Sequence, residues 1–249
     1  IILKHFFNYT EIDKIKGKKL NDTQIKKLEN IVQTRISKNF PIQYIIGEAY
    51  FMGEYFKVTP EVLIPRDETE ILVNKAIEII IKHKFSSALD IGTGSGCIAC
   101  TIAKQTNATV LGVDISSDAL RIALDNVTKL NINNHAVFRK SDLFSKVRSD
   151  EKFDVIVSNP PYIPHNTELE KEVLAEPHIA LFADDNGLYF YKKIIAEAPN
   201  YLNSKGYLMF ELGINEAKSV KQIMQKDFEN IEIFKDLADI ERVIVGQLK

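Results

Sequence analysis

At 249 residues, with 45% hydrophobic and 27% charged side chains, the chain has the size and composition of one large α/β domain with a small appendage. A formal charge of −2 and a pI near 6.3 give no basic footprint for nucleic acid, and no run approaches the roughly 18 apolar residues of a membrane helix. Two cysteines, Cys97 and Cys100, cannot build a disulfide framework, so the cytoplasm is the default expectation; a monomer is expected as well.

The charge is uneven. Residues 1–40 hold nine Lys/Arg against four Asp/Glu, which puts +5 there and leaves −7 on the rest. Such a block is either a solvated helical face or a docking surface. The start, Ile1-Ile2-Leu3-Lys4-His5-Phe6, has neither an initiator Met nor the pattern of a secretory signal, so a truncated N-terminus is expected. One short helix is expected before residue 20. Residues 20–38 then read as a helix capped by Asn21 or Asp22, with Ile25, Leu28, Val32 and Ile36 on one face and Phe40-Pro41 as its stop. Between Gln43 and Pro65 the residues turn strand-like and are broken by Gly47, Gly53 and Pro60, the pattern of a hairpin connector. The organisation expected is therefore a helical docking region at 1–42, a connector at 43–65 and the main domain at 66–249.

From Pro65 onward strands and helices alternate. A helix over 69–82 carries Leu72, Val73, Ala76, Ile77 and Ile80 on one side. Strand 87–91 leads to helix 95–105, and strand 109–114 to helix 117–130, capped by Ser116 or Ser117 with Leu120, Ala123, Val127 and Leu130 inward. Strands follow at 136–140 and 153–158, a helix at 187–203, a strand at 207–212 and a helix at 215–227. Segments 231–234 and 242–245 close the chain as an antiparallel pair. Strands separated by helices over this length imply an α/β fold with a mostly parallel sheet covered on both faces.

Two places carry chemistry. Asp90-Ile91-Gly92-Thr93-Gly94-Ser95-Gly96 lies between a strand and its helix, where glycines let the backbone turn tightly and lie against a ligand. The next strand ends in Asp114, placed to accept the paired hydroxyls of a ribose or to cap the following turn. The combination suits a ribose-bearing cofactor and leaves NAD and S-adenosylmethionine open. The second place is Asn159-Pro160-Pro161-Tyr162, behind the apolar strand Phe153-Asp154-Val155-Ile156-Val157-Ser158. The prolines end the strand and stiffen its tip. The loop then offers an amide side chain, backbone carbonyls and an aromatic face, a set able to grip a planar NH2 group.

With both motifs in place, the chain resembles class I S-adenosylmethionine methyltransferases, and within them the PrmC/HemK family, the N5-glutamine methyltransferases of peptide chain release factors. The resemblance is carried by the two motifs together with Val62-Leu63-Ile64-Pro65-Arg66, Glu176-Pro177-His178-Ile179-Ala180-Leu181, Asp185-Asn186-Gly187 and Asp236-Leu237-Ala238-Asp239-Ile240-Glu241-Arg242, and it spans about residues 40–249. It implies a Rossmann-like, seven-stranded sheet with S-adenosylmethionine as methyl donor and S-adenosylhomocysteine as product. Cofactor contacts would come from Asp90, Gly92, Thr93, Gly94, Ser95, Gly96, Asp114, Asp142, Leu143 and Asn159. Asn159, Pro160, Pro161 and Tyr162 would hold the substrate glutamine of a release factor, with Asn159, Pro160 and Tyr162 catalytic. One departure is Asp67, where the family usually has proline. The alternative is an adenine-N6 DNA or RNA methyltransferase, which uses similar loops on an extruded base but calls for a basic face. The five histidines show no ligand spacing, so no metal is expected; His165 is a candidate site-lining residue, and Cys97 and Cys100 are expected as small buried thiols facing the sheet.

Overall fold

In a computed structural model that describes residues 1–249, the Lys38 side chain excepted, the first forty residues form three helices: α1 (Ile2–Phe7), α2 (Glu11–Ile15) and α3 (Asp22–Lys38). Two capping boxes set their starts. The Thr10 hydroxyl accepts from the Asp13 N–H while the Asp13 carboxylate accepts from the Thr10 N–H, and Asn21 and Gln24 repeat the exchange on α3. Asn39, at φ 48°, ends α3 in the left-handed conformation that asparagine tolerates. The apolar stripe of α3 is only partly covered: Ile25, Val32 and Ile36 are 40, 37 and 67% exposed. Where one helix was expected before α3 there are two, neither with a buried residue.

The connector opens on a helix the sequence pattern did not signal, α4 (Ile42–Ile46), started by Pro41 and stopped by Gly47. Strands β1 (Glu48–Phe51) and β2 (Glu54–Lys57) then pair antiparallel around Met52-Gly53. Val58, Val62 and Ile64 beyond them are buried against Tyr44, Ala119 and Ile122, so the connector packs on the main domain.

That domain runs α5 (Thr69–His83), β3 (Ser87–Ile91), α6 (Cys97–Gln105), β4 (Thr109–Asp114), α7 (Ser117–Leu130), β5 (Ala136–Lys140) and β6 (Phe153–Ser158). A short parallel pair, β7 (Ile163–Pro164) and β8 (Phe182–Ala183), brackets an excursion of 3-10 turns. Helix α8 (Tyr189–Glu197), β9 (Leu202–Glu211), α9 (Ala217–Met224), β10 (Phe228–Lys235) and β11 (Glu241–Leu248) complete the chain. The sheet has seven strands in the order β10-β11-β9-β6-β3-β4-β5; β5, β4, β3, β6 and β9 run parallel and the last hairpin antiparallel. Several boundaries differ from the expected pattern, two of them for local reasons. Pro199 breaks the helix expected to reach 203, and β9 starts at Leu202 with a bulge opposite Phe153–Val155.

The period of two along each strand divides the core. Ala88, Val155, Val157, Met209, Val243 and Val245 face α5 and α6, while Leu89, Ile156, Leu208, Phe210 and Ile244 face α8 and α9. Both faces are sealed, so ligands can approach only at the strand ends. The chain leaves β3 toward β4 on one side and returns to β6 on the other, which opens a crevice at the carboxyl ends of β3 and β6.

Candidate active site

Both motifs sit in that crevice. The glycine loop after β3 is tied to β4, since the Gly92 and Thr93 N–H groups donate to the Val113 carbonyl at 2.9 and 3.0 Å. Gly94, at φ 54°, turns its N–H onto Asp114 Oδ2 at 2.9 Å, while Asp114 Oδ1 accepts from the Ser116 N–H at 2.8 Å. Asp114 thus closes the following turn and also braces the loop, and burial pushes its carboxyl up from the ordinary range.

The loop has two sides. Gly92, Gly94 and Asp114 line an open cleft, whereas Asp90, Thr93, Ser95 and Gly96 lie beneath it. Asp90 is fully buried with Oδ2 held by the Thr93 hydroxyl at 2.5 Å and Oδ1 without a partner; burial raises its pKa to about 7 against that hydrogen bond. Across the cleft from the loop stand Asp142 and Leu143. Ser141 Oγ donates to the Leu143 carbonyl at 2.7 Å and accepts from the Lys146 N–H at 3.0 Å, which holds Leu143 at φ 47°. Val62, Leu63 and Ile179, from stretches that carry the family resemblance, join Ile115, Phe190 and Ile194, which no motif announced, in an apolar lining. Glycine-loop N–H groups, one carboxylate and apolar walls fit a molecule with a ribose, a flat ring and a polar tail, so the residues present suit S-adenosylmethionine.

A second chamber adjoins the first. Leu63, Asn159, Pro160 and Ala180 belong to both linings, and Arg66, Tyr162, Ile163, Leu169, Val173, Leu181 and Glu211 complete the second. Pro161 lines only the first. Asn159 Nδ2 donates to Thr69 Oγ1 at 3.3 Å, which fixes the amide with Nδ2 toward α5. The Tyr162 hydroxyl reaches Glu211 Oε1 at 3.5 Å and is pushed up by burial and by that acid. The roof is the excursion between β7 and β8. Glu176, buried, accepts from the Ile64 N–H at 3.0 Å and pairs with Arg66, so the excursion is fastened to the connector next to the site. Asp67, the departure from the family pattern, is exposed in the turn leading to α5, where its carbonyl accepts from Glu70. Farther out, Arg35 of α3 holds Glu172 of the excursion through both carboxylate oxygens, at 2.6 and 3.3 Å.

Other sequence candidates lie apart. His165 is exposed, stacks on Phe182 and stands 3.4 Å from Asp184; it lines neither chamber. Cys97 and Cys100 are buried on α6, the first pushed up to about 12 by burial and the second raised as well, so neither is a thiolate at neutral pH. Among the described residues no cluster of His, Cys, Asp or Glu could hold a metal, and no helix is long and apolar enough to cross a membrane. Glu211 and Leu63 were missed. The one available signal was an acid closing the apolar run Leu208-Met209-Phe210.

Comparison with known proteins agrees with this geometry. The family profile of the methyltransferase domain matches residues 82–245. A release factor glutamine methyltransferase of Fusobacterium nucleatum is 39% identical over 93% of this chain, which spans 66% of that protein's length. One from Thermodesulfovibrio yellowstonii is 38% identical over 95% of the chain and 88% of its own. A methyltransferase crystal structure from Pyrococcus furiosus shares the fold with a TM-score of 0.59, at 18% identity over 92% of this chain and 98% of that one. By sequence over nearly its whole length, and on a class I methyltransferase fold, the chain belongs to the release factor glutamine methyltransferase family.

Proposed function

We propose that this chain transfers the methyl group of S-adenosylmethionine to the side-chain amide nitrogen, N5, of the glutamine in the Gly-Gly-Gln loop of a peptide chain release factor. The observation that carries the reading is the shared wall: Asn159 and Pro160 line both chambers, so a side chain in the second meets the contents of the first across one loop. Gly92, Gly94, Asp114, Asp142 and Leu143 would hold the cofactor, with Asp114 accepting from the ribose hydroxyls. Asp90, Thr93, Ser95 and Gly96 would act from below, by shaping the loop. The bound cofactor supplies an electrophilic methyl group on a sulfonium.

The chain's own residues supply position. An amide nitrogen is a poor nucleophile because its lone pair is delocalised into the carbonyl. Two acceptors on its N–H groups, Asn159 Oδ1 and the Pro160 carbonyl, would build electron density on nitrogen and aim the lone pair across the wall. With Nδ2 turned toward Thr69, the Asn159 side chain presents Oδ1 on its other side, which suits an N–H donor. Tyr162 would pack on the amide plane. A flexible Gly-Gly segment suits a narrow second chamber, whereas a paired adenine must first be flipped at a cost of a few kcal/mol. The basic helices α1–α3 would add a weaker contact to the protein substrate that salt screens.

Asn159→Ala tests this. It should lower kcat by roughly 100-fold or more, the effect of removing one preorganised acceptor, while calorimetry finds most of the cofactor affinity intact. Near-normal turnover would reduce the loop to a strand-ending turn.

A further inference from the structure

Glu211 ends β9 in the lining of the second chamber, and none of the roles above uses it. It is 2% exposed. Its Oε2 has no hydrogen-bond partner of good geometry among the described residues, Oε1 meets the Tyr162 hydroxyl at 3.5 Å, and the Thr69 and Asn159 side chains stand close enough to favour the ionised carboxylate. A buried carboxylate oxygen without a protein donor is costly, and in a cavity wall the missing donor can come from water or from a bound substrate. Two other buried acids make the contrast. Glu216 is satisfied, accepting from the Gly213 N–H at 2.9 Å, and Asp90 has an unpartnered oxygen but lies beneath the loop; neither lines a chamber. Among the described residues only Glu211 joins an orphaned carboxylate oxygen to a cavity wall that also holds Asn159 and Tyr162.

Building on the amide-methylating reading, we propose that Glu211 reads the substrate nitrogen together with Asn159 and Pro160: its free oxygen shares one of the two N–H groups with the Pro160 carbonyl and takes the proton that the nitrogen sheds once methylated. The amide nitrogen forms the new N–C bond with its lone pair, and the electrons of the broken C–S bond leave with sulfur. The nitrogen is then cationic and strongly acidic. Its N–H bond breaks, the electron pair restores the neutral secondary amide, and the proton passes to the Glu211 carboxylate and from there to solvent. An ionised Glu211 also repels a carboxylate, so it discriminates glutamine from glutamate.

Every group facing Glu211 bears on its titration. Burial and the nearby Glu68 raise its pKa, to about 7, while Thr69, Arg242 and Asn159 oppose them. The acceptor is the ionised form, so both turnover and the preference for glutamine should grow as pH rises through about 7 and fade below it.

The test uses the full chain, wild type and Glu211→Gln, with a release factor and with peptides carrying Gly-Gly-Gln or Gly-Gly-Glu. Calorimetry without cofactor should give the wild type a preference for the glutamine peptide of about tenfold or more at pH 8, shrinking at pH 6. The variant should show no pH-dependent preference, bind S-adenosylmethionine as the wild type does and lose on the order of 100-fold in kcat. Wild-type turnover in E211Q, or a preference that ignores pH in the wild type, overturns the assignment. The wild-type measurement decides alone if the variant does not fold. A wild type that leaves the release-factor glutamine unmethylated overturns the amide reading itself; a variant that methylates it as well as the wild type overturns only the role of Glu211.

Discussion

Asp114 carries two loads that one substitution can separate. Its carboxylate holds the Gly94 and Ser116 N–H groups, and in the proposed function it also accepts from the cofactor ribose. Asp114→Ala should weaken S-adenosylmethionine binding by about 1.5–3 kcal/mol, the scale of a charge-assisted hydrogen bond, while thermal unfolding shows a folded protein. Asp114→Asn keeps the shape and one acceptor, so its loss should be smaller. Equal affinity in all three proteins, read by calorimetry, would leave Asp114 as a turn cap. The same instrument should find no binding of NAD to the wild type. Asn159 is distinguished from Asp114 by the split it predicts, since its loss should fall on turnover and not on cofactor affinity.

At the scale of elements, the stiff Asn159–Tyr162 loop is pressed into place by the returning end of the excursion. Gly187 sits at φ 92°, and a Cβ there would stand 2.3 Å from the Tyr162 carbonyl and 2.3 Å from Glu216 Oε1. Gly187→Ala should therefore destabilise the protein by roughly 1–3 kcal/mol and displace Tyr162, with turnover falling more than cofactor affinity. Unchanged kinetics in that variant would mean the contact is slack. This excursion is also where the sequence said least. The strands were legible because Leu89, Ile156 and Phe210 alternate with Ala88, Val157 and Met209 between glycine and proline stops, and the glycine loop and proline loop because their residue types force the backbone. The 3-10 turns of residues 173–187 have no period to read, and their course depends on Glu176 reaching Ile64 and Arg66 more than a hundred residues away. Helix α3 was legible as a helix, but its apolar stripe did not reveal that Ile36 would be 67% exposed. Glu211 escaped notice because a strand pattern marks what is apolar and says nothing of an acid at its end.

For the whole molecule, three buried acids set a pH dependence that runs against activity. Burial raises Asp90, Glu211 and Glu216 to about 7, above the ordinary carboxylate range they regain on unfolding. Between those limits the folded state binds more protons than the unfolded chain, so stability is fullest on the acid side and falls as pH rises through 7. Carboxylates shifted the other way include Glu151, held at about 2 by its hydrogen bonds with Arg139, and Asp13, held at about 2 by its bonds with Thr10; their contribution is lost only as pH drops toward that value. Thermal unfolding of the cofactor-free protein should give a Tm higher near pH 5 than near pH 8.5, while turnover climbs over the same interval; a Tm that rises with pH would contradict the burial of these acids. Labelled S-adenosylmethionine would be offered with a release factor, with bulk DNA and with tRNA, and the products resolved by scintillation counting and peptide mass spectrometry. The result predicted is label in the release factor alone, with the mass of one added methylene on the Gly-Gly-Gln glutamine and none when that glutamine is replaced by alanine. Label in DNA or tRNA, with the release factor unmodified, would contradict it and hand the proline loop to an adenine.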